Sequence, residues 1–150
     1  MDVGSLSPGS TPVALSVAAA AVMHAEVRLR GNSEACGLLF GGAEAIHEAT
    51  IARNVAAEPR TRFEIDPAHL FDAHRRSRAG PLRLIGCWHS HPNGNGEPSR
   101  HDRAGVSDES WLWLIVADGR IRAWRPTPRG FAEVALRATD LLSFCHNGAR

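Results

Sequence analysis

The stretch that most constrains this chain runs from Leu82 to Asp102. An apolar run, Leu82 to Trp88, ends in His89-Ser90-His91-Pro92. In a strand, residues i and i+2 point to the same face, so both imidazoles can reach one ion. The next residues, Pro92-Asn93-Gly94-Asn95-Gly96-Glu97-Pro98, are turn formers and make a loop. Such a loop can fold back and bring Asp102 to the same point. Two histidines and a carboxylate, with a fourth position left to water, form a catalytic zinc arrangement. A structural zinc site is usually closed by four protein ligands and usually uses cysteine. An H-x-H pair alone is a weak signal. Pro92, Ser99 and Asp102 strengthen it by completing a three-ligand set with a hydroxyl beside it.

The upstream stretch Glu34-Ala35-Cys36-Gly37-Leu38-Leu39 decides the reading. Taken with His89-Ser90-His91-Pro92, the seven residues between His91 and Ser99, and then Asp102, it resembles the JAMM motif of the MPN-domain zinc metallopeptidases. Five functional positions stand in that family's order and spacing, and the likeness spans roughly residues 12 to 138. The chain looks most like the short, stand-alone bacterial members. The resemblance implies an α/β MPN fold, with a mixed central β-sheet, antiparallel hairpins and flanking helices. It implies one Zn2+ per chain held by His89, His91 and Asp102. Glu34 would be the general acid/base acting on the attacking water, and Ser99 the hydrogen-bond donor to the oxyanion. The implied reaction is hydrolysis after the C-terminal Gly-Gly of a ubiquitin-like or sulfur-carrier protein, either trimming a tail or releasing a conjugated amino acid. Two alternatives stand beside it: a zinc hydrolase of another small amide, and a non-catalytic MPN scaffold. The scaffold would have a broken ligand set, and this set is complete. A nucleotide deaminase is disfavoured, because its H-x-E and P-C-x-x-C elements are absent.

Composition bounds the rest. One hundred and fifty residues imply one domain, long enough to bury a core without staples. A net charge of +1 gives no basic surface for nucleic acid. All 17 basic residues are arginine, so the protein has no lysine side chain to accept an isopeptide-linked modifier. Three cysteines, Cys36, Cys87 and Cys145, are odd in number and far apart, which argues against a disulfide framework and for a reducing, cytoplasmic setting. Cys36 and Cys87 read as small buried residues. Cys87 should share a face with His89.

Along the chain, residues 1–12 read as a flexible start, 13–138 as the domain and 139–150 as a tail, at best a short amphipathic piece. Val13 to Met23 is apolar but has no positive segment before it and is too short to span a bilayer, so neither signal peptide nor membrane anchor is expected. The run reads as a helix through Leu29, with Leu15, Ala18, Val22, Ala25 and Leu29 at helical spacing, stopped by Gly31-Asn32. Strands are expected from Ala35 to Phe40 and Ala45 to Arg53, with Gly41-Gly42 as the turn. Asn54 to Arg62 reads as a polar connection. Asp66-Pro67 caps a second helix that ends before Gly80-Pro81, and its Arg75, Arg76 and Arg78 read as a solvated helix end. Ser99 could cap a short helix carrying Asp102 in its first turn. Trp111 to Val116 is a strand apolar on both faces. Asp118-Gly119 is a hairpin signal, and Phe131 to Leu136 reads as the last strand. The expected order is α-β-β-α-β-(α)-β-β-β. The oligomeric state is not written in the sequence.

Overall fold

The computed structural model describes residues 11–140. Eight strands form one mixed sheet: β1 Val13–Ser16, β2 Cys36–Gly42, β3 Ala45–Ala49, β4 Arg83–Ser90, β5 Leu112–Ala117, β6 Arg120–Thr127, β7 Gly130–Val134 and β8 Leu136–Thr139. Their order is β7-β6-β5-β4-β2-β3-β1-β8. The pairs β4–β5, β1–β3 and β1–β8 are parallel and the rest antiparallel. The expected mixed α/β sheet with hairpins and flanking helices is therefore what the chain forms.

Each face of the sheet buries one apolar set. Helix α1, Val17–Arg30, supplies Ala19 and Met23 to a cluster with Leu39, Ile46, Trp88 and Leu114. Helix α2, Pro67–Ala79, supplies Ala73 to the opposite cluster with Leu38, Phe40, Cys87, Trp113 and Ile115. Successive residues of β4 alternate between them: Cys87 joins the second and Trp88 the first. Trp88 is fully buried, and its Nε1 donates to the Thr50 carbonyl at 2.8 Å. That contact needs Gly37, where a Cβ would stand 1.8 Å from the same carbonyl oxygen.

Several boundaries differ from the sequence reading. Val13 to Ser16 is a strand, so Leu15 is not on the helix face. All four residues are buried, and pairing with both β3 and β8 satisfies their backbone where one exposed helix turn would not. Ser16 begins the helix by accepting the Ala19 N–H at 3.0 Å. Gly41 and Gly42 stay in β2, and Ala43-Glu44 makes the turn. Strand β3 stops at Ala49; beyond it the chain stays on β2 only through Thr50 N–H to Leu38 O and an isolated bridge from Ala52 to Cys36, and Asn54 then bridges Ile65. The last expected strand divides at Ala135: β7 pairs with β6 at one sheet edge, and β8 crosses to pair with β1 at the other, reaching Thr139. Arg76 is not merely solvated. Its guanidinium lies 4.2 Å over the Phe40 ring and donates to both carboxylate oxygens of Glu48.

Other features follow the sequence closely. Gly31 ends α1 with φ 59°, and Asp66 caps α2. Asp118 and Gly119 take positive φ in the β5–β6 hairpin. No helix among the described residues is long and apolar enough to cross a membrane. The first ten residues and the last ten, with Cys145, lie outside the described range.

Candidate active site

Strand β4 sits between β2 and β5 and ends in the site. His89 lies opposite Cys36 on one side and Ile115 on the other, and none of it is exposed. The ring of Phe63 stacks on it at 4.2 Å, and Trp113 meets it edge-on at 5.9 Å. Ser90 turns to the other face, where its Oγ accepts the Ala35 N–H at 2.8 Å and so ties the start of β2 to the end of β4. His91 leaves the sheet after donating its N–H to the Val116 carbonyl at 3.0 Å.

The loop then returns as expected. Helix α3, Arg100–Ala104, is capped by Ser99 in a reciprocal box: the Asp102 N–H donates to Ser99 Oγ at 3.1 Å, and the Ser99 N–H donates to Asp102 Oδ2 at 2.8 Å. Asp102, in the first helical turn, is thereby aimed at the histidines. Its Oδ1 lies 3.0 Å from His89 Nε2 and its Oδ2 3.1 Å from His91 Nε2, while the two Nε2 atoms are 3.0 Å apart.

These three residues fit a metal ion. His91 Nδ1 lies 2.7 Å from the Asn95 carbonyl, an acceptor only, so Nδ1 carries the hydrogen. In the neutral ring, Nε2 then presents a lone pair to a second imidazole nitrogen and a carboxylate. Only a proton or a cation between them relieves that arrangement. Two atoms bound tetrahedrally at about 2.0–2.1 Å from one ion stand about 3.3–3.4 Å apart, close to the spacing found here. The charges agree. Burial would raise the Asp102 carboxyl, but hydrogen bonds from His89 and His91 outweigh it and hold the group well below the usual carboxylate range. Burial would also lower His91, but Asp102 and the Asn95 carbonyl raise it. His89 is lowered, chiefly by burial. Asp102 therefore stays ionised beside the two imidazoles.

Glu34 comes from the bend before β2. It is 4% exposed, and its Oε1 is buried without a hydrogen-bond partner. Burial, with the Asp102 charge adding and His91 opposing, pushes its carboxyl up to about 7. Glu34, His89 and His91 each offer one ligand atom within 4.8 Å of one another. That set is looser than His89–His91–Asp102, which meets at 3.0–3.1 Å. Asp102 is thus the carboxylate that closes on both histidines. Glu34 stands beside the three as a carboxylate with an unused oxygen.

Of the five residues singled out in the sequence, His89, His91 and Asp102 meet at 3.0–3.1 Å, Glu34 reaches the two histidines within 4.8 Å, and Ser99 caps the helix that carries Asp102. Glu34, His91 and Ser99 open onto a cleft of about 230 Å³, which Arg60, Thr61 and Asn95 help to wall. A larger cavity of about 530 Å³, lined by Phe63, Leu70, Trp111 and Trp113, lies beyond Asp102 and away from Glu34. Cys87 borders that cavity and is outside the ligand cluster. Burial raises its thiol well above the usual range and pushes Cys36 up to about 12, so neither is a thiolate. Sequence reading missed Phe63, Asn54 and the Asn95 carbonyl. Phe63 had one visible sign, as an aromatic residue in a polar stretch.

Comparison with known proteins gives a consistent result. Residues 16–127 match the family described as prokaryotic homologs of the JAB domain. The desampylase of Haloferax volcanii is 33% identical over 118 residues, covering 75% of this chain and 85% of that protein. A solution structure of a Desulfitobacterium hafniense protein superposes with a TM-score of 0.75 at 23% identity, over 85% of this chain and 93% of that one. A structure described as a metalloprotease-like JAMM zinc site in the proteasome and signalosome superposes at 0.56 with 17% identity, over 87% of this chain and all of that one.

Proposed function

Because the chain belongs to the prokaryotic homologs of the JAB domain and is a JAMM-type hydrolase, we propose that it cuts the peptide or isopeptide bond after the C-terminal Gly-Gly of a ubiquitin-like protein, a sulfur carrier among them. One observation carries the reading. A buried carboxylate with an unused oxygen, Glu34, stands next to a compact His89–His91–Asp102 cage and shares one cleft with its His91. The 33% identical desampylase supports the choice of a ubiquitin-like partner. We further propose a reducing, cytoplasmic setting, which the free, buried cysteines Cys36 and Cys87 fit.

The residues divide the work. His89, His91 and Asp102 would hold one zinc ion. Zinc bound there would polarise the scissile carbonyl and bring the pKa of a bound water from about 15.7 to about 7. Glu34 takes a proton from the attacking water and returns it to the leaving nitrogen, which requires a carboxylate that exchanges protons near neutrality. Ser99 Oγ already accepts the Asp102 N–H, so its own hydrogen is free to donate to the oxyanion. Phe63 and Trp113 keep His89 in one orientation and exclude water from its buried face. A cleft of about 230 Å³ suits an extended tail ending in glycine, which brings backbone and no side chain to the reacting carbonyl.

Intact mass spectrometry tests this directly. A ubiquitin-like carrier bearing residues beyond its Gly-Gly should lose the mass of those residues when incubated with this protein. A chelator should abolish the loss. An unchanged mass across a set of such carriers, with zinc bound, would move the substrate to another amide.

A further inference from the structure

Beyond the five residues above, we infer that Asn54 is a positioning residue that locks Glu34 and Phe63 to one another across the site. The inference rests on the proposed hydrolysis for its kinetic readout and on geometry alone for its spectroscopic one.

Asn54 uses its whole side-chain amide. Nδ2 donates to the Glu34 carbonyl and to the Arg62 carbonyl, each at 3.0 Å. Oδ1 accepts the Ala56 N–H at 3.0 Å and the Glu64 N–H at 3.1 Å. A primary amide offers two donors and two acceptor sites, and all four are used. Aspartate has no donors, leucine has neither kind, and serine is too short to span four partners.

The partners explain why this matters. Two of them, the Arg62 carbonyl and the Glu64 N–H, flank Phe63, whose ring stacks on His89 at 4.2 Å. A third is the carbonyl of Glu34. The Glu34 N–H donates to the Pro59 carbonyl at 2.7 Å, within the same loop. Both backbone polar groups of Glu34 are therefore held by residues 54–59. The base of the loop is closed by Val55 N–H to Glu64 O at 2.9 Å and Asp66 N–H to Arg53 O at 3.1 Å. Asn54 sits between these two rungs. It couples the residue that moves the proton to the residue that sets the plane of His89, although the three lie 20 or more residues from Glu34 in sequence. It touches no substrate or reacting atom itself.

The prediction is a change in kcat with KM preserved. Displacing a reacting group by about 1 Å can cost about 10²-fold in rate, while the opposite side of the cleft, from His91 to Ser99, makes no hydrogen bond to Asn54 and keeps its place. The test uses the full chain, loaded with zinc for kinetics on an extended ubiquitin-like carrier and with cobalt(II) for absorption. In Asn54→Asp, kcat should fall about 10²-fold with KM within about threefold. One equivalent of cobalt should still bind, but with a shifted visible spectrum, because His89 loses its fixed plane. Asn54→Ser should behave in the same way. An unshifted cobalt spectrum together with unchanged kcat would overturn the inference, and so would a rise in KM alone. Failure of both variants to fold would also overturn it, since Asn54 would then be needed for the fold and not for the site. If wild type hydrolyses no carrier, the proposed function fails, and the cobalt spectrum still decides the role of Asn54.

Discussion

The two walls of the site are built from chain of different reach. One wall, His91 to Asp102, is local. Its hydrogen bonds join His91 to Asn95, Ser99 to Asp102 and His91 to Asp102, and the widest spans 11 residues. The other wall is assembled from afar. Glu34, Asn54, Phe63 and the end of β4 meet there through contacts that cross the sheet and the 53–66 loop. The local wall can be specified by spacing alone. The distant wall exists only once the β2–β4 register is set, with Cys36 opposite His89. The short-range wall thus supplies two of the three proposed ligands, His91 and Asp102, while the third, His89, and the proposed proton carrier, Glu34, depend on the sheet.

The strongest way to break the comparison is through the local wall. Asp102→Ala leaves two buried imidazoles facing each other and removes half of the capping box. Zinc content, read by elemental analysis, should fall to background, and hydrolysis with it. Retained zinc in this variant would mean that the ion is held from the distant wall. Ser99→Ala is milder. It removes one oxyanion donor, for which a loss of about 10²–10³ in kcat is expected. It also removes a helix cap, at a cost of about 0.5–2 kcal/mol in thermal or denaturant unfolding. Zinc should stay. A kcat within a few-fold of wild type would limit Ser99 to capping.

The distant wall can be probed through pH. Burial raises Glu34 from its usual 4.5 to about 7 in the folded protein. Between those values the folded state binds the extra proton, so metal-free stability should fall as pH rises from about 4.5 through about 7. Glu34→Gln removes that penalty. The metal-free variant should melt higher than metal-free wild type at pH 8 and at the same temperature at pH 4, with a difference on the order of 1 kcal/mol. Equal melting at both values would mean that Glu34 is solvated. The smallest effect belongs to Trp124, whose Nε1 donates to the Gly96 carbonyl at 3.1 Å and ties the loop to β6 from outside. Trp124→Phe should cost about 1 kcal/mol in urea unfolding and leave zinc stoichiometry unchanged.

The same contrast explains what could be read before the fold was known. The apolar run into His89, the turn-rich loop and the capping offset from Ser99 to Asp102 are local signals; the three side chains they point to meet at 3.0–3.1 Å, and the short helix is where they put it. Asp66-Pro67 and Asp118-Gly119 placed a cap and a hairpin in the same way. The first strand was hidden inside a longer apolar run, because Val13 to Ser16 is fixed by β3 and β8, and β8 is more than a hundred residues away. Asn54 looked like one polar residue in a polar connection. Nothing near it in sequence shows that four partners converge on its amide.

The most direct test of the account is zinc titration by calorimetry, with hydrolysis followed in the same samples, for Glu34→Gln and His89→Ala. Glu34→Gln should bind one zinc per chain like wild type and lose about 10²–10⁴ in rate. His89→Ala should lose both zinc and activity. Loss of zinc in Glu34→Gln would make Glu34 a ligand beside His89 and His91 and would contradict the division of the site into an ion cage and a proton carrier.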